Sequence, residues 1–264
     1  MTGWADQVLL LGVATARVAA TFLLLPMFST ETVPAMVRNS IFVAMGVISL
    51  MIQPPLLVST LAPQQWVGLI AKEVLVGLTI GFFFGSVLWA LQGAGEIIDA
   101  KVGATLGQVV DPLSGNQTSL NGAFLGRLAS VVFLFAGGLS MVVQVVVVQS
   151  YAIWPIAAPM PRLDAATLVL FEGEFGRLMV LATLFAAPVL SALFLIDLCL
   201  GLINRFAQQL NVFTLSMSLK AFASTALILV LLGSYVAAIV HDVATRPEAL
   251  RALLRAFAAQ GSAP

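Results

Sequence analysis

Charge is what this sequence has least of. Only 9% of its 264 residues are Asp, Glu, Lys or Arg, against 60% hydrophobic residues, and the mean hydropathy is +1.05. A soluble domain covers itself with about 25% charged residues, so most of this exterior must face lipid or other apolar protein. The 12 basic and 12 acidic residues cancel, which removes a net-charge argument for nucleic acid or for a polybasic lipid contact. One cysteine, Cys199, excludes an internal disulfide and a cysteine metal cage. One histidine, His241, excludes an HExxH site or a histidine cluster. There is no GxSxG elbow, no P-loop and no dinucleotide fingerprint behind a strand. The chain therefore reads as a non-enzyme with no catalytic residue, cofactor or metal. Asp6 is the only charge ahead of the first apolar run, so the basic start of a cleavable signal peptide is missing and the N-terminus is expected to be retained.

Long apolar runs fill the rest, and reading between charges predicts about six hydrophobic helices in an all-α integral membrane protein. The first runs from about Val8 to Leu25 with Arg17 near its middle, and the second from about Ser40 to Leu61, broken or bent at Pro54-Pro55. A third lies between Glu73 and Glu96. A fourth follows Arg127 and is expected to end near Trp154-Pro155, because the charge-free run to Arg162 exceeds the roughly 20 residues of one span. A fifth lies between Arg177 and Asp197, with a kink expected at Pro188, and a sixth between Lys220 and His241. With six spans, Lys72, Arg162, Arg177, Arg246, Arg251 and Arg255 fall on one side and Arg38, Lys101, Arg127, Arg205 and Lys220 on the other. That near-tie gives no orientation under the positive-inside rule.

Three features stand out against the apolar background. Arg17 and Asp197 are charges inside apolar runs, where an ionisable group costs roughly 2.5–3.5 kcal/mol on insertion scales and normally faces protein or water. They read as buried charges: either structural ion pairs between helices, with Arg205 one partner open to Asp197, or members of a polar conduit. Gly77, Gly81 and Gly85 recur every fourth residue and form a ridge for close helix contact, within the chain or with another subunit. Beyond residue 245, Pro247 can open a helix in which Leu250, Leu253, Leu254 and Phe257 share one face. Residues 1–245 thus read as one hydrophobic helical domain, and 246–264 as a short amphipathic tail for a membrane surface or a partner groove.

The polar interval from about 93 to 125 is the most informative. Gly103, Gly107, Gly115 and Gly122 weaken a continuous helix, Asp111-Pro112 forces a turn, and Pro112 to Gly122 carries no charge. Glu96 and Asp99 share a helix face near Lys101 and read as a solvated loop edge. The run Gly95-Glu96-Ile97-Ile98-Asp99, then Val110-Asp111-Pro112, Gly115, Gly122, Phe124 and Leu125 resembles the signature of the type III export-gate family of flagellar FliR and injectisome SctT proteins. Ser114-Gly115, followed by Gln117-Thr118-Ser119, is closer to the injectisome SctT branch. A second match is Gln209-Leu210-Asn211-Val212-Phe213 with Leu215-Ser216-Met217 and Lys220, although Gln208 and Ser218 stand where the family usually has proline.

The resemblance implies an all-helical protein of stacked hairpins in the bacterial inner membrane, within the secretion-system basal body. It implies assembly with R-, S- and U-type export-apparatus proteins and a larger export-gate protein, and passage of unfolded secreted substrates. It also implies that the loop from about Gly107 to Gly122 enters the channel as a plug. Within that loop, Asp111, Pro112, Leu113, Ser114, Gly115, Asn116, Gln117, Thr118, Ser119 and Leu120 are the expected gate residues. The competing reading, prompted by Arg17 and Asp197, is a stand-alone ion-coupled secondary transporter.

Overall fold

A computed structural model describes residues 4–29, 32–52, 63–103, 119–158, 165–206 and 212–261. Among the described residues the chain is helical with no strand. The helices are α1 (Trp4–Leu23), α2 (Ala35–Ile52), α3 (Pro63–Val102), α4 (Leu120–Phe135), α5 (Gly138–Ile153), α6 (Ala165–Phe206) and α7 (Val212–Gly261), with a short 3-10 turn at Pro26–Phe28.

Among the described residues, four helices carry a stretch long and apolar enough to cross a membrane: Ala35–Ile52, Trp66–Val102, Phe171–Phe206 and Leu215–Arg246. The pair α4 and α5, bent by 72°, makes a fifth if it is one broken span, and the shorter apolar helix Gln7–Leu23 completes the six hydrophobic segments. Segment lengths differ from the reading between charges. α3, α6 and α7 have 40, 42 and 50 residues, about 60 Å or more at the helical rise and roughly twice a single span. Glu73 does not begin α3 but lies ten residues inside it, because its charge is neutralised within the fold rather than by water.

Local chemistry explains the ends. Pro63 opens α3, where a missing N–H costs nothing. Gly103 closes it with φ +89°, and its N–H donates to the Asp99 and Ala100 carbonyls, the left-handed cap that glycine alone adopts freely. Gly137, at φ +80°, makes the bend between α4 and α5. α5 is π-helical over Gln144–Gln149 and stops at Ile153, ahead of Trp154-Pro155 as expected. α6 contains Pro188 within one continuous helix. One proline expectation fails: α7 runs unbroken through Pro247, so the tail continues the sixth helix instead of opening its own. Apolar helices tolerate proline where neighbouring groups satisfy the freed carbonyl. Pro54-Pro55 lie outside the described residues, as does Gln208. Ser218, without the family proline, sits in continuous helix.

The chain divides into two compact units. Unit 1 comprises Met1–Ser86, Phe133–Phe175 and Asp242–Pro264. Its core joins Val13, Ala14, Tyr151 and Ile156 with Leu50, Trp66 and Leu69, and an aromatic cluster sets Phe22 edge-on to Phe28 at 4.9 Å beside Phe42. Unit 2 comprises Val87–Val132 and Gly176–His241. There Phe185 packs edge-on against Tyr235, whose hydroxyl donates to the Phe185 carbonyl at 2.9 Å.

Candidate functional site

Unit 1 is held by charges that no solvent reaches. Arg17 on α1 and Glu73 on α3 are both fully buried. Arg17 Nε and Nη2 donate to Glu73 Oε2 and Oε1 at 2.6 and 2.9 Å, a two-pronged pair. Its remaining reach goes to Ser150 Oγ (2.9 Å) and the Trp154 carbonyl (3.0 Å), and the guanidinium lies 3.8 Å above the Tyr151 ring. Lys72, also buried, donates to the carbonyls of Pro155, Ile156 and Ala158 and sits 3.1 Å from Glu73 Oε1. Arg17 is therefore a structural ion pair binding α1, α3 and the end of α5, not a lone group in a conduit. Sequence reasoning missed Glu73. The signal was present: Glu73, Gly77 and Gly81 are four apart, so the acid continues the glycine ridge along one face of α3.

That ridge packs inside unit 1. A Cβ on Gly77 would collide with the Arg17 carbonyl, and one on Gly81 would lie 2.5 Å from the Thr21 carbonyl and 3.0 Å from Leu24 Cβ. Thr21 Oγ1 donates across the same crossing to the Gly77 carbonyl at 3.0 Å. Gly85 is buried farther along α3. A second buried cluster was not foreseen. Arg246 on α7 donates to Glu174 (2.6 Å), Asp242 (3.0 Å) and Ser86 (2.7 Å). The C-terminal stretch packs inside unit 1: Leu250 is buried, and Arg251 donates to Gln149 Oε1 at 2.8 Å.

Unit 2 carries the roots of the polar interval. Asp99, in the last turn of α3, is buried and not part of a solvated edge, whereas Glu96 is exposed. The Asp99 carboxylate accepts the N–H groups of Asn121 and Gly122 and the Asn121 side-chain amide, all at the start of α4. Glycine permits the approach: a Cβ on Gly95 would meet the Asn121 carbonyl at 2.5 Å, and one on Gly122 would meet Glu96 Cγ at 2.7 Å. Of the expected gate residues, Asp111, Pro112, Leu113, Ser114, Gly115, Asn116, Gln117 and Thr118 lie outside the described residues. Ser119 precedes α4, and Leu120 opens it with its side chain 77% exposed.

Asp197 is half-buried, not buried, and its partner is not Arg205. Its two oxygens pair with Lys101 at 2.9 Å and Lys220 at 3.0 Å, tying α3, α6 and α7. An aspartate on α6 reaches these lysines because both lie on neighbouring helices, a proximity that spacing along one helix does not reveal. Among the described residues no group of three or more His, Cys, Asp or Glu could hold a metal ion.

Residues 8–245 match the model of the family described as bacterial export proteins, family 1. The chain is similar to Yop proteins translocation protein T of Yersinia pestis, 32% identical over 218 residues, 81% of this chain and 82% of that one. It is similar to secretion system apparatus protein SsaT of Salmonella typhimurium, 31% identical over 239 residues, 89% and 90% of the two chains. Flagellar biosynthetic protein FliR of Bacillus subtilis is 29% identical over 241 residues, 90% and 92% of the two chains. These likenesses do not support the stand-alone transporter. With its apolar helices, the chain belongs to the bacterial export proteins of family 1, as a multi-pass membrane component of a type III export apparatus.

Proposed function

We propose that this protein forms part of the inner-membrane gate through which unfolded substrates enter the secretion channel, in the injectisome branch, and that the loop from about Gly107 to Gly122 plugs the closed channel. It does so without catalysis, in complex with R-, S- and U-type proteins and beside the larger export-gate protein. The observation that carries the reading is the clasp at Asp99, which brings into backbone contact the two helices flanking a polar segment that carries Asp111 as its one charge. Such a segment suits a channel that passes many sequences. Ser114, Asn116, Gln117, Thr118 and Ser119 offer hydrogen bonds that water can replace, and Leu113 and Leu120 offer apolar contact. Lipid faces the apolar sides of α2, α6 and α7, which are mostly exposed where α3 is mostly buried.

Co-expression with the R- and S-type proteins tests the assembly. The chain is expected to co-purify with both, and recovery as a lone monomer while R and S assemble would contradict the proposal. Deleting Leu113 to Ser119 tests the plug. Ion conductance across the membrane should rise with the complex intact, and an unchanged conductance would remove the plug assignment.

A further inference from the structure

Both oxygens of one carboxylate hold the base of the polar interval. Asp99 Oδ2 accepts the backbone N–H of Asn121 at 2.9 Å and that of Gly122 at 3.3 Å, and Oδ1 accepts Asn121 Nδ2 at 2.6 Å. These residues stand in the first turn of α4, where N–H groups have no acceptor in their own helix and the helix dipole favours a negative charge. Asp99 is 3% exposed and Asn121 8%, so the bonds form in a site with little competing water. On the α3 side, the same turn carries Lys101, paired with Asp197, whose other oxygen takes Lys220.

We propose that Asp99 is the positioning residue of the gate: it latches the end of α3 to the start of α4 and thereby sets the closed arrangement at the roots of the polar segment. The inference rests on the plug reading above. The latch is reversible by its chemistry. Its three donors are N–H groups that water can satisfy once the helices part, and no covalent or metal bond is broken. Its geometry is also specific, since the carboxylate must accept on both oxygens. In Asp99→Asn the amide oxygen can still accept the two backbone N–H groups only if Asn121 turns its side-chain oxygen toward the new NH2, and the negative charge at the first turn of α4 is lost. In the double variant Asp99→Asn with Asn121→Asp, the new amide oxygen accepts the two backbone N–H groups and its NH2 donates to the new carboxylate, restoring a charge-assisted bond across the latch. The charge stays at the first turn of α4.

The test measures ion leak through the assembled complex containing full-length chain with the R- and S-type proteins. Asp99→Asn should raise the leak on the order of ten-fold, the population shift expected for losing a charge-assisted hydrogen bond. The double variant should return it toward the starting value. A leak unchanged in Asp99→Asn, or equally high in both variants, overturns the latch. A leaking Leu113–Ser119 deletion beside a silent Asp99→Asn removes this inference alone. A silent deletion removes the plug reading and the inference with it.

Discussion

Glu73 is the residue whose loss should damage the protein most for the smallest change in shape. Its carboxylate is shared by two buried cations: Oε2 takes Arg17 Nε, and Oε1 takes both Arg17 Nη2 and Lys72 Nζ. Arg17, Lys72 and Glu73 are each no more than 1% exposed. Glu73→Gln therefore leaves two uncompensated positive charges in one dry site. Removing one partner of a buried pair costs about 3–5 kcal/mol, a large part of the roughly 5–15 kcal/mol that holds a typical domain. Arg17→Met is milder. The Lys72–Glu73 pair survives, so no charge is left without a counter-charge, and the losses are both bonds to Glu73 and those to Ser150 and the Trp154 carbonyl, about 1–3 kcal/mol for each group left without a partner. The assay is thermal denaturation and yield of the solubilised complex containing each variant. The expected order of stability is wild type, Arg17→Met, then Glu73→Gln. A Glu73→Gln complex as stable as wild type, or more stable than Arg17→Met, would refute the shared-carboxylate account.

The glycine ridge and the half-buried triad give opposite expectations. Gly81→Ala places a methyl group 2.5 Å from the Thr21 carbonyl and should cost about 1–3 kcal/mol as overpacking, while Gly81→Leu should abolish recovery of folded protein; a normal yield of Gly81→Leu would show that α1 and α3 do not cross there. Asp197→Asn touches a triad whose side chains are 13–39% exposed and should change stability by no more than about 1 kcal/mol, less at high salt. A large loss on melting that variant would mean that the site is drier in the assembly than in the chain itself.

Periodicity and charge placement made six apolar segments legible, because lipid-facing helices need long uncharged runs. The same rule hid the lengths of the helices. Lys72, Glu73 and Asp99 looked like segment edges, yet each sits inside α3, neutralised by partners far away in sequence. Arg17 was visible as an anomaly because an arginine in an apolar run demands an explanation. Its partner was not, since an ion pair joining residues 56 positions apart leaves no local pattern. Asp197 misled for the related reason that Arg205 was near in sequence while Lys101 and Lys220 were near in space. Pro247 was read as a helix start by its usual place, and the surrounding helix runs through it. The Gly95-Glu96-Ile97-Ile98-Asp99 run identified the family, but its physical content emerged only with the first turn of α4 beside it. Gly95 admits the backbone and Asp99 receives its N–H groups.

The central claim is that this chain is an indispensable part of a type III export gate, and secretion itself tests it most directly. An in-frame deletion of the gene in its own bacterium should abolish export of that system's substrates into the medium, with general protein export unaffected. Supplying the full-length chain from a plasmid should restore it. Undiminished secretion by the deletion strain, with the other export-apparatus proteins present and the strain carrying no second copy, would contradict the account.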